Sequence, residues 1–173
     1  MRKWVTFFSQ TGSEIYKLSN RLGRNPDVIV TNSEKIRPEV IDKFGDNIVY
    51  VGPKPTIEDY LRFIPVNSLV TLHGWLRIVP EEVCDRYEIY NLHPANLFHN
   101  PELKGKDPQK MAYKQKLVFS GNTIHRCTAE LDSGEIFEHS YTSIEGLTLD
   151  ETIATLHEDA TNLWYRFLKK HLQ

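Results

Sequence analysis

The sequence predicts an α/β fold: a Rossmann-like, mostly parallel sheet with helices on both faces, a C-terminal β-hairpin added to the sheet and a long C-terminal helix. Three observations carry this. Apolar runs rich in β-branched and aromatic residues alternate with helical patterns through the first half of the chain, as βαβ units require. "NTIHRCTAELDSGEIFEHSYTSI" reads as two strands joined by a turn at Asp132-Ser133-Gly134. From Thr148 onward, apolar residues recur at helical spacing.

The elements follow in order. "KWVTFFS" is a strand and Ser13 to Leu22 a helix. "DVIVTN" is the second strand, followed by "RPEVIDKFG", where Pro38 suits a first helical turn and Gly45 a stop. "NIVYVG" and "TIEDYLRFI" form the next strand and helix. "SLVTLHG" is the fourth strand, with a short helix opening near Pro80, and "YEIYNLHP" is the fifth. Thr148 and Glu151 have the spacing of a capping box. Behind them Ile153, Leu156, Ala160, Leu163, Trp164, Phe167, Leu168 and Leu172 make a core-facing stripe.

No repeat, low-complexity tract or linker divides the 173 residues, so the expectation is one catalytic domain over 1–173. A net charge of −2 lacks the basic excess that a nucleic-acid partner requires. The two cysteines, Cys84 and Cys127, make no disulfide framework. "MRKWVTFFSQTGS" holds too short an apolar run for a signal peptide or membrane span. A soluble cytoplasmic protein is expected, with no membrane contact.

The candidate chemistry begins at "IYNLHPANLF". On a strand, Asn91 and His93 share one face while Leu92 takes the other. They lie at the strand's carboxyl end, where open α/β sheets bind ligands, and Pro94 ends the ladder there. By spacing alone this is equally a polar strand end. "HGWLRIVP" leaves the sheet at the same edge and is unusually apolar for a loop; it reads either as a wall for a flat ring or as a cap on the core. Asp132 is by default a turn residue, but a carboxylate near His93 would orient the imidazole and hold charge on it.

Taken together, "GWLRIVP", "YNLHPANLF" and "HRCTAELDSGEIF", in this order, resemble the folate-dependent formyltransferases, and within that family the glycinamide ribonucleotide enzymes. The resemblance covers nearly the whole chain. It implies an Asn91–His93–Asp132 active site and 10-formyltetrahydrofolate as formyl donor. The donor's pterin pocket would draw on Trp75, Leu76, Arg77 and Ile78 and on Thr128, Ala129, Glu130, Leu131 and Asp132. The implied acceptor is the primary amine of a small phosphorylated or nucleotide-linked substrate, either glycinamide ribonucleotide-like or an amino-sugar nucleotide. A formyltetrahydrofolate hydrolase and a non-catalytic folate-binding module are the alternatives. No metal is required, no folded nucleic acid is expected, and monomer and homodimer stay equally open.

The acceptor side departs from the family pattern. "FSQTGSE" stands where relatives carry a glycine-rich, phosphate-binding turn. Thr11, Gly12 and Ser13 would still offer donors to an anion at a helix N-terminus, whereas Glu14 would repel one. A plain βα turn capped by Ser13 is the other reading. Lys104 and Lys106 are candidate phosphate contacts, and His125 matches a family position near the site.

Overall fold

The computed structural model describes all residues, Met1–Gln173. Its parallel half is built from β1 (Lys3–Phe8), α1 (Ser13–Leu22), β2 (Val28–Thr31), α2 (Pro38–Phe44), β3 (Ile48–Tyr50), α3 (Ile57–Phe63), β4 (Ser68–Leu72), α4 (Glu81–Arg86) and β5 (Glu88–His93). The rest is α5 (Pro108–Lys114), β6 (Phe119–Ser120), β7 (Thr123–Arg126), β8 (Ile136–His139), β9 (Thr142–Ser143) and α6 (Leu149–His171).

Seven strands form one sheet in the order β3-β2-β1-β4-β5-β7-β8. The first five pair in parallel, and β7 and β8 add to the edge antiparallel. The chain reverses its direction of travel across the sheet between β1 and β4. That makes the carboxyl ends of these two strands the topological switch point, where ligand crevices form.

Alternation along the strands builds a core on each face. Val5, Phe7, Val70, Leu72 and Ile89 pack with Tyr60 of α3 and Val83 of α4. Trp4, Leu69 and Tyr90 point the other way, onto Leu18 of α1 and Leu163, Trp164 and Phe167 of α6. Trp4 and Trp164 are fully buried on this second face. α2 joins it through Phe8, Ile15, Ile29, Val40 and Phe44. No helix is long and apolar enough to cross a membrane.

The structure differs from expectation after β5. Neither α5 nor the small β6–β9 sheet was anticipated. Both are short, and a satellite core of Leu97, Leu103, Ala112, Ile144 and Leu156 fixes them, a tertiary effect with no local periodicity to reveal it. The hairpin is also looser than a turn at 132–134 implies. The chain leaves the ladder after Arg126 and rejoins at Ile136, with a register shift at Ile124/His125. Gly134 explains the return path, because a Cβ there would lie 1.7 Å from the Arg126 carbonyl oxygen.

Thr148 caps α6 as its sequence implies. Its hydroxyl accepts from the Glu151 N–H at 3.2 Å, and the Glu151 carboxylate accepts from the Thr148 N–H at 2.8 Å. Thr148→Ala should destabilise the protein by about 1 kcal/mol in urea unfolding, with Thr148→Ser close to wild type. Equal midpoints for all three proteins would show that the box contributes nothing.

Candidate active site

The site is assembled at the carboxyl end of β5. Asn91 and His93 share the face of Ile89, while Leu92 packs towards α6. In the antiparallel register Asn91 lies opposite His125, which brings the second imidazole onto the same face. Asp132 reaches in from the 127–135 connection. It adopts a left-handed backbone with φ of 53°, a conformation that Asp tolerates better than most residues.

The Asp132 carboxylate sits between the two rings. Its Oδ2 is 3.1 Å from His93 Nδ1 and its Oδ1 is 3.5 Å from His125 Nε2. The Gly105 N–H donates to Oδ2 at 3.3 Å. His93, His125 and Asp132 are all buried. Burial works to raise the Asp132 pKa, but the His125 and His93 rings beside the carboxylate, the His93 charge and the Gly105 N–H outweigh it. The carboxyl is held well below the usual carboxylate range.

The other ring nitrogens meet backbone carbonyls. His93 Nε2 lies 2.7 Å from the Leu103 oxygen and His125 Nδ1 lies 3.0 Å from the Arg126 oxygen. A carbonyl only accepts, so His93 Nε2 carries a proton. Its Nδ1 also faces an acceptor, and only the imidazolium satisfies both contacts. His125 donates to its carbonyl and leaves Nε2 without a hydrogen-bond partner, facing Asp132 beyond hydrogen-bond length. The arrangement thus offers a charged ring, fixed from behind by a carboxylate, beside the half-buried Asn91 amide.

The two loops expected to form a ring pocket flank this centre, with a different division of labour. Trp75 turns inward. It packs edge-on against Phe7 and Tyr60, and its indole N–H donates to the Tyr60 hydroxyl at 3.1 Å. Burial pushes the Tyr60 pKa up to about 12, against the lowering effect of that bond. Trp75 therefore anchors the loop in the core, because a buried indole N–H needs a partner and finds one there. Leu76 and Ile78 remain 61% and 72% exposed, and Arg77 is exposed beside them.

On the second loop Thr128, Ala129 and Glu130 are exposed, Leu131 is 62% exposed, and Asp132 alone turns in. Together with Cys84 and Arg126, residues 127–130 border a cleft of about 510 Å³ against α4. The loop's start is tied to α4 by a Cys84–Cys127 contact of 3.8 Å; that hydrogen bond and burial push the Cys127 thiol pKa up.

Thr11, Gly12 and Ser13 lie elsewhere, on the α1/α6 side of the switch point. There they line a cleft of about 380 Å³ with Glu14, His73 and Trp164. Lys104 and Lys106 do not join them. Leu103 is held in the satellite core, which directs Lys104 towards the Asp132 loop, where its Nζ donates to Ser133 Oγ at 3.3 Å. Lys106 is exposed. His125, expected on the acceptor side, pairs with Asp132 instead, because its strand register places it opposite Asn91. Sequence reasoning missed the Leu103 carbonyl, a backbone group with no sequence signature, and the pairing of His73 with Glu14, 59 residues apart.

Residues 54–168 match the family described as formyl transferase. The chain belongs to this family. A chloroplastic phosphoribosylglycinamide formyltransferase of Arabidopsis thaliana is 33% identical over 91% of the chain, which spans 61% of that relative's length. The Bacillus subtilis phosphoribosylglycinamide formyltransferase is 24% identical over 99% of the chain and 95% of its own. Among solved structures, the phosphoribosylglycinamide formyltransferase of Campylobacter jejuni superposes with a TM-score of 0.86 at 21% identity, covering 99% of this chain and 98% of that one. A formyltetrahydrofolate deformylase from Pseudomonas syringae gives 0.77 at 18% identity, covering 99% of this chain and 62% of that one. These structures share the formyl transferase fold seen here, the deformylase included.

Asp132 makes the site acid-sensitive. Its folded pKa lies below the unfolded value, so its stabilising contribution is complete above about pH 4 and is lost as pH falls below that. Thermal unfolding followed downwards from about pH 6 should show a steeper fall in Tm for wild type than for Asp132→Asn. Parallel curves would remove Asp132 as the source.

Proposed function

We propose that residues 1–173 act as one catalytic unit that transfers a formyl group from 10-formyltetrahydrofolate to the primary amine of a small acceptor related to glycinamide ribonucleotide. One observation carries this reading: the Asn91 amide and a His93 ring fixed from behind by Asp132 stand together at the end of β5. Family membership and the names of the relatives point to the same chemistry.

The chain's residues suit such a donor. Leu76, Ile78 and Leu131 leave apolar side chains exposed on the two loops beside the centre, where a flat ring removes them from water. Bound there, 10-formyltetrahydrofolate supplies an activated formyl group. As the amine attacks, the formyl oxygen turns negative. Asn91 donates an amide N–H to it and the His93 ring, whose two nitrogens already face Asp132 and the Leu103 carbonyl, adds a nearby positive charge, a preorganised arrangement that water would have to reorganise to match. Asp132 holds the positive ring in place and assists the proton's passage from the attacking amine to the departing nitrogen. The free thiols Cys84 and Cys127 fit a reducing, cytoplasmic setting.

Asn91→Ala and His93→Ala should each lower kcat by about 10²- to 10³-fold, read as tetrahydrofolate release, with folding retained by circular dichroism. The acceptor panel should include glycinamide ribonucleotide and amino-sugar nucleotides. Dependence of donor consumption on an added amine supports transfer; acceptor-free formate release at the same rate makes the protein a hydrolase. Leu76→Ser combined with Ile78→Ser is expected to raise the donor KM roughly tenfold with kcat little changed. An unchanged KM would move the donor away from that loop.

A further inference from the structure

The chain's two cysteines, 43 residues apart in sequence, meet where the two exposed loops join the fold. Cys84 lies on α4, shortly after the loop of Leu76 and Ile78, and its sulfur is 3.7 Å from the Val79 carbonyl oxygen. Cys127 is the first residue after β7 and opens the connection that carries Leu131 and Asp132. Both are free thiols, with their sulfurs 3.8 Å apart. Cys84 is buried and Cys127 partly exposed, and both border the cleft of about 510 Å³, so a small solute reaches the pair from water.

The two thiols are unequal. The Cys127 hydrogen bond and the Arg126 charge favour the Cys84 thiolate against its burial, while Cys127 holds its proton. The pair therefore has an attacking sulfur and a resolving one. When the Cys84 thiolate attacks a peroxide, the O–O bond breaks. One oxygen stays on Cys84 as a sulfenic acid, and the other leaves as hydroxide and takes a proton from water. Cys127 then attacks the Cys84 sulfur, the S–O bond breaks, and the Cys127 proton leaves with the hydroxyl as water. Two thiols and one peroxide thus give one disulfide and two waters, and the peroxide takes both electrons. To bond, the sulfurs must approach by roughly 1.8 Å. Val83, beside Cys84, is fully buried, whereas Thr128, Ala129 and Glu130 are exposed, so the loop moves more readily than α4. At the loop's far end Asp132 is held by His93 and the Gly105 N–H.

We propose that Cys84 and Cys127 form a reversible oxidation site: a peroxide closes them into a disulfide that draws residues 128–131 against α4, narrows the gap between the two loops and weakens donor binding, while the Asn91–His93–Asp132 centre stays in place. The disulfide stands on the thiol pair alone. Its effect on the donor rests on the reading that these loops hold 10-formyltetrahydrofolate. In a reducing compartment such a bond is transient and serves sensing rather than structure. Thiol reductants reopen it, so donor binding recovers once the oxidant is gone.

The test treats the full chain with a slight molar excess of hydrogen peroxide and then removes it. Titratable thiols should fall from two to none, with a loss of two hydrogens in mass and a peptide linking Cys84 to Cys127. Calorimetry then measures the affinity for 10-formyl-5,8-dideazafolate, an air-stable donor analogue that needs no reductant in solution. Oxidation should weaken binding roughly tenfold and dithiothreitol should restore it, with Cys84→Ser and Cys127→Ser each binding equally before and after peroxide. Surviving thiols, oxidation without the linked peptide, no binding by the reduced protein, or a disulfide that leaves the affinity unchanged would each overturn the proposal. Formyl transfer is scored separately on the reduced protein. If transfer is absent while the analogue binds and oxidation weakens it, the transferase reading fails and the oxidation site stands.

Discussion

Everything at the end of β5 depends on one buried carboxylate placed between two imidazoles. An unpaired Asp132 at 7% exposure would be costly, and so would an unpaired positive ring beside it. Each makes the other tolerable. The Gly105 N–H and the Leu103 carbonyl close the remaining valences, so the segment after β5, α5 and the satellite core all have a part in the chemistry. The left-handed backbone at Asp132 is a local strain that the surrounding packing sustains, while Gly134 lets the chain pass close to Arg126 without a clash.

The sheet separates two jobs. On the α3/α4 face lie the charged ring, the Asn91 amide and two loops with exposed apolar tips. At the switch point on the α1/α6 face lies a polar cleft with a buried proton chain running from Trp4 to Glu14. β5 serves both, since alternation sends Asn91 and His93 to one side and Leu92 to the other. A single strand thus carries the Asn91–His93 pair on one face and lines the switch-point cleft with Leu92 on the other.

How much of this was legible beforehand follows from the range of the interactions. The parallel half could be read because its strands are apolar on both faces and alternate with helical patterns, and α2 and α6 because each has its own start signal, at Pro38 and Thr148. The Asn91–Leu92–His93 alternation could be read for the same local reason. The partners of these residues could not. Trp75 resembled a pocket wall until Tyr60, distant in sequence, claimed its N–H. Lys104 resembled an anion contact until the burial of Leu103 turned it towards the Asp132 loop. The pairing of Glu14 with His73 has no local trace. What escaped the sequence was in each case a contact between segments that only the finished fold brings together.

The central claim is that His93 is held as an imidazolium by Asp132 and the Leu103 carbonyl. Nitrogen-15 NMR of histidine-labelled protein at neutral pH, with His93→Ala to assign the ring, tests it most directly. The account predicts two protonated ring nitrogens for His93, with the Nδ1 proton shifted downfield by its carboxylate partner and that shift lost in Asp132→Asn. A neutral His93 ring with one bare nitrogen, unchanged by Asp132→Asn, would contradict it.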